Sequence, residues 1–393
     1  MAEPWLSIIG VGEDGPDGLT AASRAALLAA EFVFGGRRHL DLLAITGQTW
    51  PLPFSIDPVL ALRGRKVAVL ASGDPFWHGV GGTFSAVLDP SEWRCSPTPS
   101  TFSRAAAALG WRLEEVVCLG LHAAPLTRLR PALTRGQRIL CLLRDGKAVG
   151  ELAAYLTATG FGPSQVNVLE ALGGPREKRW SFTAEVYVDT EISASVCVAI
   201  TVKGALGLPM SNGLDDHLFA HDGQITKRWV RALTLSALAP RPGETLWDIG
   251  CGSGSVSIEF LLAAPATHAH AIEADPTRAT GARANADAFG LAHRFHLTQT
   301  RAPEGLTALP RPDAVFLGGG ASDPMLKTLW PLLPDGTRLV ANAVTLENEA
   351  LLATWAARHG GTLLRIELSQ AEPLGTKRGW QPQRPIVQWS VTK

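Results

Sequence analysis

Twice in this chain an apolar run breaks into closely spaced glycines and then into a helix start. The first instance is Ile8-Ile-Gly-Val-Gly-Glu-Asp-Gly-Pro-Asp-Gly-Leu-Thr20, the second Asp248-Ile-Gly-Cys-Gly-Ser-Gly-Ser-Val-Ser-Ile-Glu259. A strand that enters a helix through bare backbone belongs to an α/β sheet, and ligands bind such sheets at the carboxyl ends of the strands. Two such turns so far apart call for two sheets, hence two domains. The length of 393 residues agrees.

The intervening pattern fills in the domains. In the first half Trp5–Ile9, Lys66–Ala71, Val116–Leu119, Arg138–Leu143 and Val166–Leu169 read as strands, and Leu19–Ala30, Thr101–Leu109 and Val149–Thr159 as helices. Trp180–Val188 and Ser195–Lys203 follow with no helix between them and are expected to pair. Gly204–His221 is rich in Gly, Pro, Ser and Asn and is the expected linker, dividing the chain into domains 1–205 and 206–393. Beyond it come a helix over Thr226–Leu238 and strands at Thr245–Ile249, His268–Glu273, Arg294–Thr298, Asp313–Leu317 and Thr337–Asn342. A strand pair near Gly361–Leu368 and Pro385–Val391 closes the series.

Composition narrows the function classes. Apolar residues make up 46% and charged ones 18%, enough for buried cores. Lys plus Arg equals Asp plus Glu at 36 each, and the balance holds within each half, so no global basic excess points to nucleic acid. Arginine predominates over lysine, which would suit bidentate carboxylate binding, although a GC-rich genome is the favoured explanation. The five cysteines show neither CxxC nor Cys/His spacing; no metal site or disulfide framework is expected. Met1–Gly10 lacks a signal-peptide pattern and Ile192–Val202 is too short to span a membrane, so a cytoplasmic protein is expected.

In the second motif Gly250, Gly252 and Gly254 allow a tight turn and close ligand approach, with Cys251 and Ser253 between them. Glu273 lies 19 residues after Gly254, at the end of the next strand, placed to bind both hydroxyls of a ribose. The loop alone suits a nicotinamide cofactor or S-adenosylmethionine. Three features favour the latter: GxGxG spacing, Asp248 placed to face a cationic amino or sulfonium group, and the Gly318-Gly-Gly320 turn after the fourth strand. With His221-Asp-Gly-Gln-Ile-Thr-Lys227 and Arg301-Ala-Pro-Glu304, residues 215–393 resemble the decarboxylating precorrin-6Y C15-methyltransferases of cobalamin synthesis, class I Rossmann-like enzymes. The resemblance implies that Thr226, the 250–254 loop, Glu273, Ala302 and Gly318 line the cofactor. His221, Asp222 and Lys227 are its candidate catalytic groups, the first two for handling protons.

In the first half, Gly12 closes the turn after the opening strand, Gly73 and Asp74 belong to Ser72-Gly-Asp-Pro-Phe76, and Ser100 and Thr101 open a helix after Ser96-Pro-Thr-Pro99. Together these resemble the class III tetrapyrrole methylases, in particular their precorrin C5-methyltransferase branch, over about residues 5–203. One departure stands out: Glu13-Asp14-Gly15 replaces the Gly-Pro-Gly of the wider family.

The two resemblances in this order imply the fused decarboxylating C5,15-methyltransferase family. Such enzymes use S-adenosylmethionine to methylate a precorrin tetrapyrrole at C5 and C15, remove the ring C acetate at C12 and yield precorrin-8; relatives are homo-oligomers. The meso carbons are enamine-like, so methyl transfer needs positioning and electrostatics rather than a nucleophilic triad. The acetate lost as carbon dioxide is expected in a weakly polar pocket. The other carboxylates need cations, with Arg37, Arg38, Arg176, Lys178 and Arg179 as candidates in the first half and Lys227, Arg228 and Arg231 in the second. The twelve tryptophans could stack on a flat macrocycle, although most are expected in cores. The rival readings are an RNA methyltransferase C-terminal domain and a first half that binds cofactor without catalysis.

Overall fold

The computed structural model describes residues 4–193 and 196–393, in two units: 1–126 with 132–207, and 127–131 with 208–393.

The first unit holds two five-stranded sheets. One contains β1 (Leu6–Val11), β2 (Phe32–Gly35), β3 (Gln48–Thr49), β4 (Val67–Ser72) and β5 (Trp93–Ser96), in the order β3-β2-β4-β1-β5 with every pairing parallel. Val67–Ala71 is buried throughout, as a parallel strand covered on both faces requires. The other contains β6 (Val116–Gly120), β7 (Arg138–Leu142), β8 (Gln165–Glu170), β9 (Lys178–Thr183) and β10 (Val196–Thr201), in the order β6-β7-β10-β8-β9.

The expected pairing of Trp180–Val188 with Ser195–Lys203 does not occur. β9 pairs with β8 and ends at Thr183, and β10 is inserted between β7 and β8, antiparallel to both. Burial explains the exchange. Val196–Ile200 is enclosed on both faces and takes a central place, whereas Lys178–Ser181 is exposed and takes the edge. Ser195, at the start of the expected strand, lies outside the described residues, as do residues 1–3.

The second unit carries β11 (Thr245–Ile249), β12 (His268–Glu273), β13 (Phe295–Gln299), β14 (Ala314–Leu317), β15 (Arg338–Ala343), β16 (Thr362–Ile366), β17 (Ser369–Leu374), β18 (Lys377–Pro382) and β19 (Ile386–Thr392). Seven form one sheet, β13-β12-β11-β14-β15-β19-β16, parallel except for β19, and β17 with β18 forms a separate hairpin. Alternation along β11 feeds two cores: Leu246 packs on one face of the sheet, Trp247 and Ile249 on the other. Sequential order reverses between β11 and β14, and the crevice at their carboxyl ends is where such sheets bind ligands.

The expected linker is mostly not one. Residues 208–221 belong to the second unit, and Leu214 and Phe219 are buried in its core. Glu259 accepts hydrogen bonds from the backbone N–H groups of Gly213 (2.6 Å) and Leu214 (2.9 Å). Glu259 also pairs with Arg231, whose guanidinium is 0% exposed, stacks over Phe219 and donates to the carbonyls of Leu214 and Thr226. A turn-rich composition here hides a segment strapped down by one buried ion pair.

Candidate functional site

In the first unit the carboxyl ends of β1, β4 and β5 converge. The N–H of Gly73 donates to the carbonyl of Val11 (3.0 Å), and that of Thr98 to the carbonyl of Gly73 (3.1 Å). Gly73 has φ +52°, and a Cβ there would stand 3.1 Å from Ser100 Cα, so bare backbone is required. Ser100 caps the helix Thr101–Leu109, its hydroxyl accepting from the Ser103 N–H (3.0 Å). Gly12, Gly73, Asp74, Ser100 and Thr101, distant in sequence, thereby line one cavity of about 340 Å3.

The cavity also takes in Arg38, expected as a carboxylate-binding cation, and Ser72 of the Gly73-Asp74 motif, whereas sequence reading missed His39, Trp50, Trp77 and Arg104. No local motif signals them, because their helices and loops are chosen by the fold. The Glu13-Asp14 departure proves to be an electrostatic anchor. Glu13, 8% exposed, pairs with Arg38 and lies 3.4 Å from Arg176; Asp14 pairs with Arg104 at 2.6 Å. Sharing Arg38 and Ala171 with this cavity, a cleft of about 520 Å3 is lined by Arg37, Arg38, Asp41, Glu170 and Arg176.

In the second unit Gly250, Gly252 and Gly254 have φ of +73°, +55° and +74°. A Cβ on Gly254 would lie 3.3 Å from the Ala282 methyl and 3.4 Å from the Phe295 ring; one on Gly250 would meet nothing within 4 Å. The third glycine therefore serves helix packing and the first leaves open space at the sheet edge. Gly318, after β14, donates to the Ile249 carbonyl (3.2 Å), and a Cβ there would be 3.0 Å from the Gly250 carbonyl oxygen. The loops after β11 and β14 thus meet at the order reversal.

Glu273 ends β12 with both carboxylate oxygens engaged, one accepting from Gly252 N–H (2.8 Å) and the other from Asp275 N–H (2.9 Å). It fixes the glycine loop. Asp248 is 0% exposed, and Ser257 donates to its Oδ2 at 2.6 Å. Burial first, and the charge of Glu273 to a smaller degree, push Asp248 up to about 7. The carboxylate is enclosed under the helix Ser255–Ala263 rather than displayed as a standing charge. Its Oδ1 and the hydroxyl of Ser253 are buried without a hydrogen-bond partner, which marks this loop as a place for a polar ligand. Cys251 is half-buried, its thiol pushed well above the usual range by burial.

The 221–227 segment lies against the same loop, the Gln224 carbonyl 3.8 Å from where a Gly252 Cβ would stand. Asp222 accepts from Gln224 N–H (2.9 Å) and pairs with Arg278 (2.8 Å); both hold its pKa below the ordinary carboxylate value. These contacts favour its ionised form. His221 Nδ1 accepts from Gly223 N–H (3.0 Å). Thr226 is half-buried, and Lys227 is exposed at the N-cap of the helix Arg228–Leu238. Ala302 packs against the apolar core of the β14 face.

Among the substrate-binding candidates Arg231 is ruled out by its complete burial, while Arg179 pairs with Glu177 and Arg228 with Asp215. Of the tryptophans, Trp247, Trp355 and Trp389 are core, while Trp50 and Trp77 line the first cavity. Among the described residues no helix is long and apolar enough to cross a membrane.

Comparison with known proteins matches separate parts of the chain to different families. Residues 6–186 match the family model of tetrapyrrole (corrin/porphyrin) methylases, and residues 217–393 that of a precorrin methyltransferase domain. The chain is 47% identical to a precorrin-6Y C(5,15)-methyltransferase [decarboxylating] from Sinorhizobium sp, spanning 100% of this chain and 97% of that one. It is 39% identical to a protein of the same name from Mycobacterium tuberculosis, spanning 99% and 100%. The crystal structure of the C-terminal domain of the Rhodobacter capsulatus precorrin-6Y C5,15-methyltransferase is 53% identical, covers 47% of this chain and 100% of its own, and has a TM-score of 0.46. These full-length matches do not favour the RNA methyltransferase alternative. Related along its whole length to such enzymes, and matched in each half by a methyltransferase family model, the chain belongs to the family of decarboxylating precorrin-6Y C5,15-methyltransferases.

Proposed function

We propose that the chain methylates a precorrin tetrapyrrole twice and decarboxylates it once, with residues 1–205 acting at C5 and residues 206–393 at C15 and the C12 acetate. The observation that supports this reading is a glycine-built turn at the carboxyl edge of a parallel sheet in each unit, bordering a cavity in the first. S-adenosylmethionine, when bound, supplies an electrophilic methyl on a sulfonium. The residues present fit it: Asp248 Oδ1 and Ser253 Oγ are buried acceptors without partners, and the three positive-φ glycines leave the approach free of side chains.

In the second unit Asp248, the 250–254 loop, Glu273, Thr226, Ala302 and Gly318 hold the donor. Glu273 keeps Gly252 in place, and Arg278 keeps Asp222 and the 221–227 segment against the loop. His221 and Lys227, at the mouth of this segment, handle protons and a ring carboxylate. In the first unit Gly12, Gly73, Asp74, Ser100 and Thr101 hold the donor, Trp50 and Trp77 contribute apolar wall, and Arg37, Arg38 and Arg176 around the adjoining cleft bind the acetates and propionates. Burial of the reacting carbons excludes water and fixes their approach. The same reading takes the protein to be a cytoplasmic homo-oligomer with no nucleic-acid partner, and light scattering measures the assembly. Incubation with S-adenosylmethionine and precorrin-6Y should give a product that has gained two methyl groups and lost one carbon dioxide. A product unchanged in mass would refute the proposal.

A further inference from the structure

We infer that Ser72 and His39 form a proton relay in the first cavity, removing the hydrogen that must leave the meso carbon after it is methylated; this rests on reading that cavity as the C5 site. Ser72 ends β4 one residue before Gly73, with its side chain exposed at the cavity wall. His39 lies on the helix Arg37–Leu43. The Ser72 hydroxyl is 2.9 Å from His39 Nε2 and accepts from Arg38 Nη2 at 2.8 Å, and the same Nη2 is 3.3 Å from His39 Nε2.

A guanidinium only donates. His39 Nε2 therefore faces two donor groups and carries the lone pair, with the imidazole proton on Nδ1, a buried atom without a partner. Burial, then the neighbouring charge of Arg38, pull the His39 pKa down to about 4, so the ring is a neutral acceptor at pH 7. Glu13 from the loop after β1 balances Arg38, and Arg176 adds a second cation beyond it. Asp74, His78, Arg104 and His122 are the other ionisable side chains of the cavity.

The chemistry requires such a group. The meso carbon uses ring π electrons to form its bond to methyl as the sulfur–methyl bond breaks. The ring is then a conjugated iminium cation, and the carbon bears both hydrogen and methyl. Breaking that carbon–hydrogen bond returns its electron pair to the ring and restores neutrality. The proton goes to Ser72 Oγ as the serine proton passes to His39 Nε2. A hydrogen beside an iminium is acidic, so a weak neutral base suffices. The cation of Arg38 then drives the proton from the imidazolium to water.

Single-turnover experiments on the full-length protein, with substrate carrying protium or deuterium at C5, separate the two events. S-adenosylhomocysteine reports methyl transfer, and absorbance of the conjugated product reports proton loss. In Ser72→Ala and His39→Gln, S-adenosylhomocysteine should form at close to the wild-type rate. Proton loss should lag by about 100-fold and acquire a primary isotope effect. The melting temperature and S-adenosylhomocysteine affinity should be unchanged; Ser72→Ala carries the test should His39→Gln misfold. In the free protein, 15N spectra should show His39 neutral with its proton on Nδ1 at pH 6, and Arg38→Met should raise its pKa. Equal slowing of both phases, unaltered kinetics or an Nε2–H tautomer would overturn the relay. Failure of the wild type to methylate C5 would instead overturn the reading of the cavity.

Discussion

Asp248 shows how far one residue was readable from its neighbours. Its place before GxGxG pointed to a charge beside a cation, but only the fold reveals that the carboxylate is enclosed and raised to about 7. A cation brought near Oδ1 favours the ionised form, so ligand binding must release a proton from that fraction of molecules in which Asp248 is protonated. Affinity of the second unit for S-adenosylmethionine should fall as pH drops below about 7, and Asp248→Asn should remove that dependence in calorimetric titrations. Gly254 is limited by sterics as well. Gly254→Ala places a methyl at φ +74° between Ala282 and Phe295, and chemical denaturation should show a loss of about 1–2 kcal/mol. Glycine spacing was visible in the sequence; the meeting of Arg38 and His39 with Ser72 was not, since helix Arg37–Leu43 meets β4 only through the sheet order.

Elements with strong apolar runs were legible, and β11 and β12 coincide with the expected spans. Polar elements were not: the hairpin of β17 and β18 is largely exposed and offers no apolar alternation. Nor does adjacency reveal insertion, which is why β10 was assigned to β9. The segment 208–221 misled through its composition, because its attachment depends on Arg231 and Glu259 far along the chain. Breaking this buried pair with Glu259→Gln should cost about 3–5 kcal/mol in urea unfolding. The adjacent strands β12 and β13 hold His268, His270 and His296 as stacked rings. Burial, then His296 and His268, lower His270 to about 4 from 6.5. The unfolded chain then binds more protons between these values, so this group's contribution to stability is present above pH 6.5 and declines as pH falls toward 4. Asp248 acts in the opposite sense, so the readout is a comparison: His270→Gln should lose less stability than wild type between pH 7 and pH 4.5, measured as the urea midpoint.

At the scale of the whole molecule the account depends on two donor pockets of unrelated construction. In the first unit Gly73 and Ser100 meet across β1, β4 and β5; in the second, three glycines lie at the switch between β11 and β14. The twin strand–glycine–helix turns were visible in the sequence, and Arg37, Arg38 and Arg176 were expected as cations, but that they line one cleft was not legible, since they come from separate segments. Gly252→Asp adds a carboxylate next to Glu273 and should abolish C15 methylation while C5 methylation continues. Calorimetric titration of the full-length chain with S-adenosylhomocysteine tests the central claim most directly. Two equivalents should bind per chain in the wild type and one in Gly252→Asp; a single equivalent in the wild type, or loss of both in a folded variant, would contradict it.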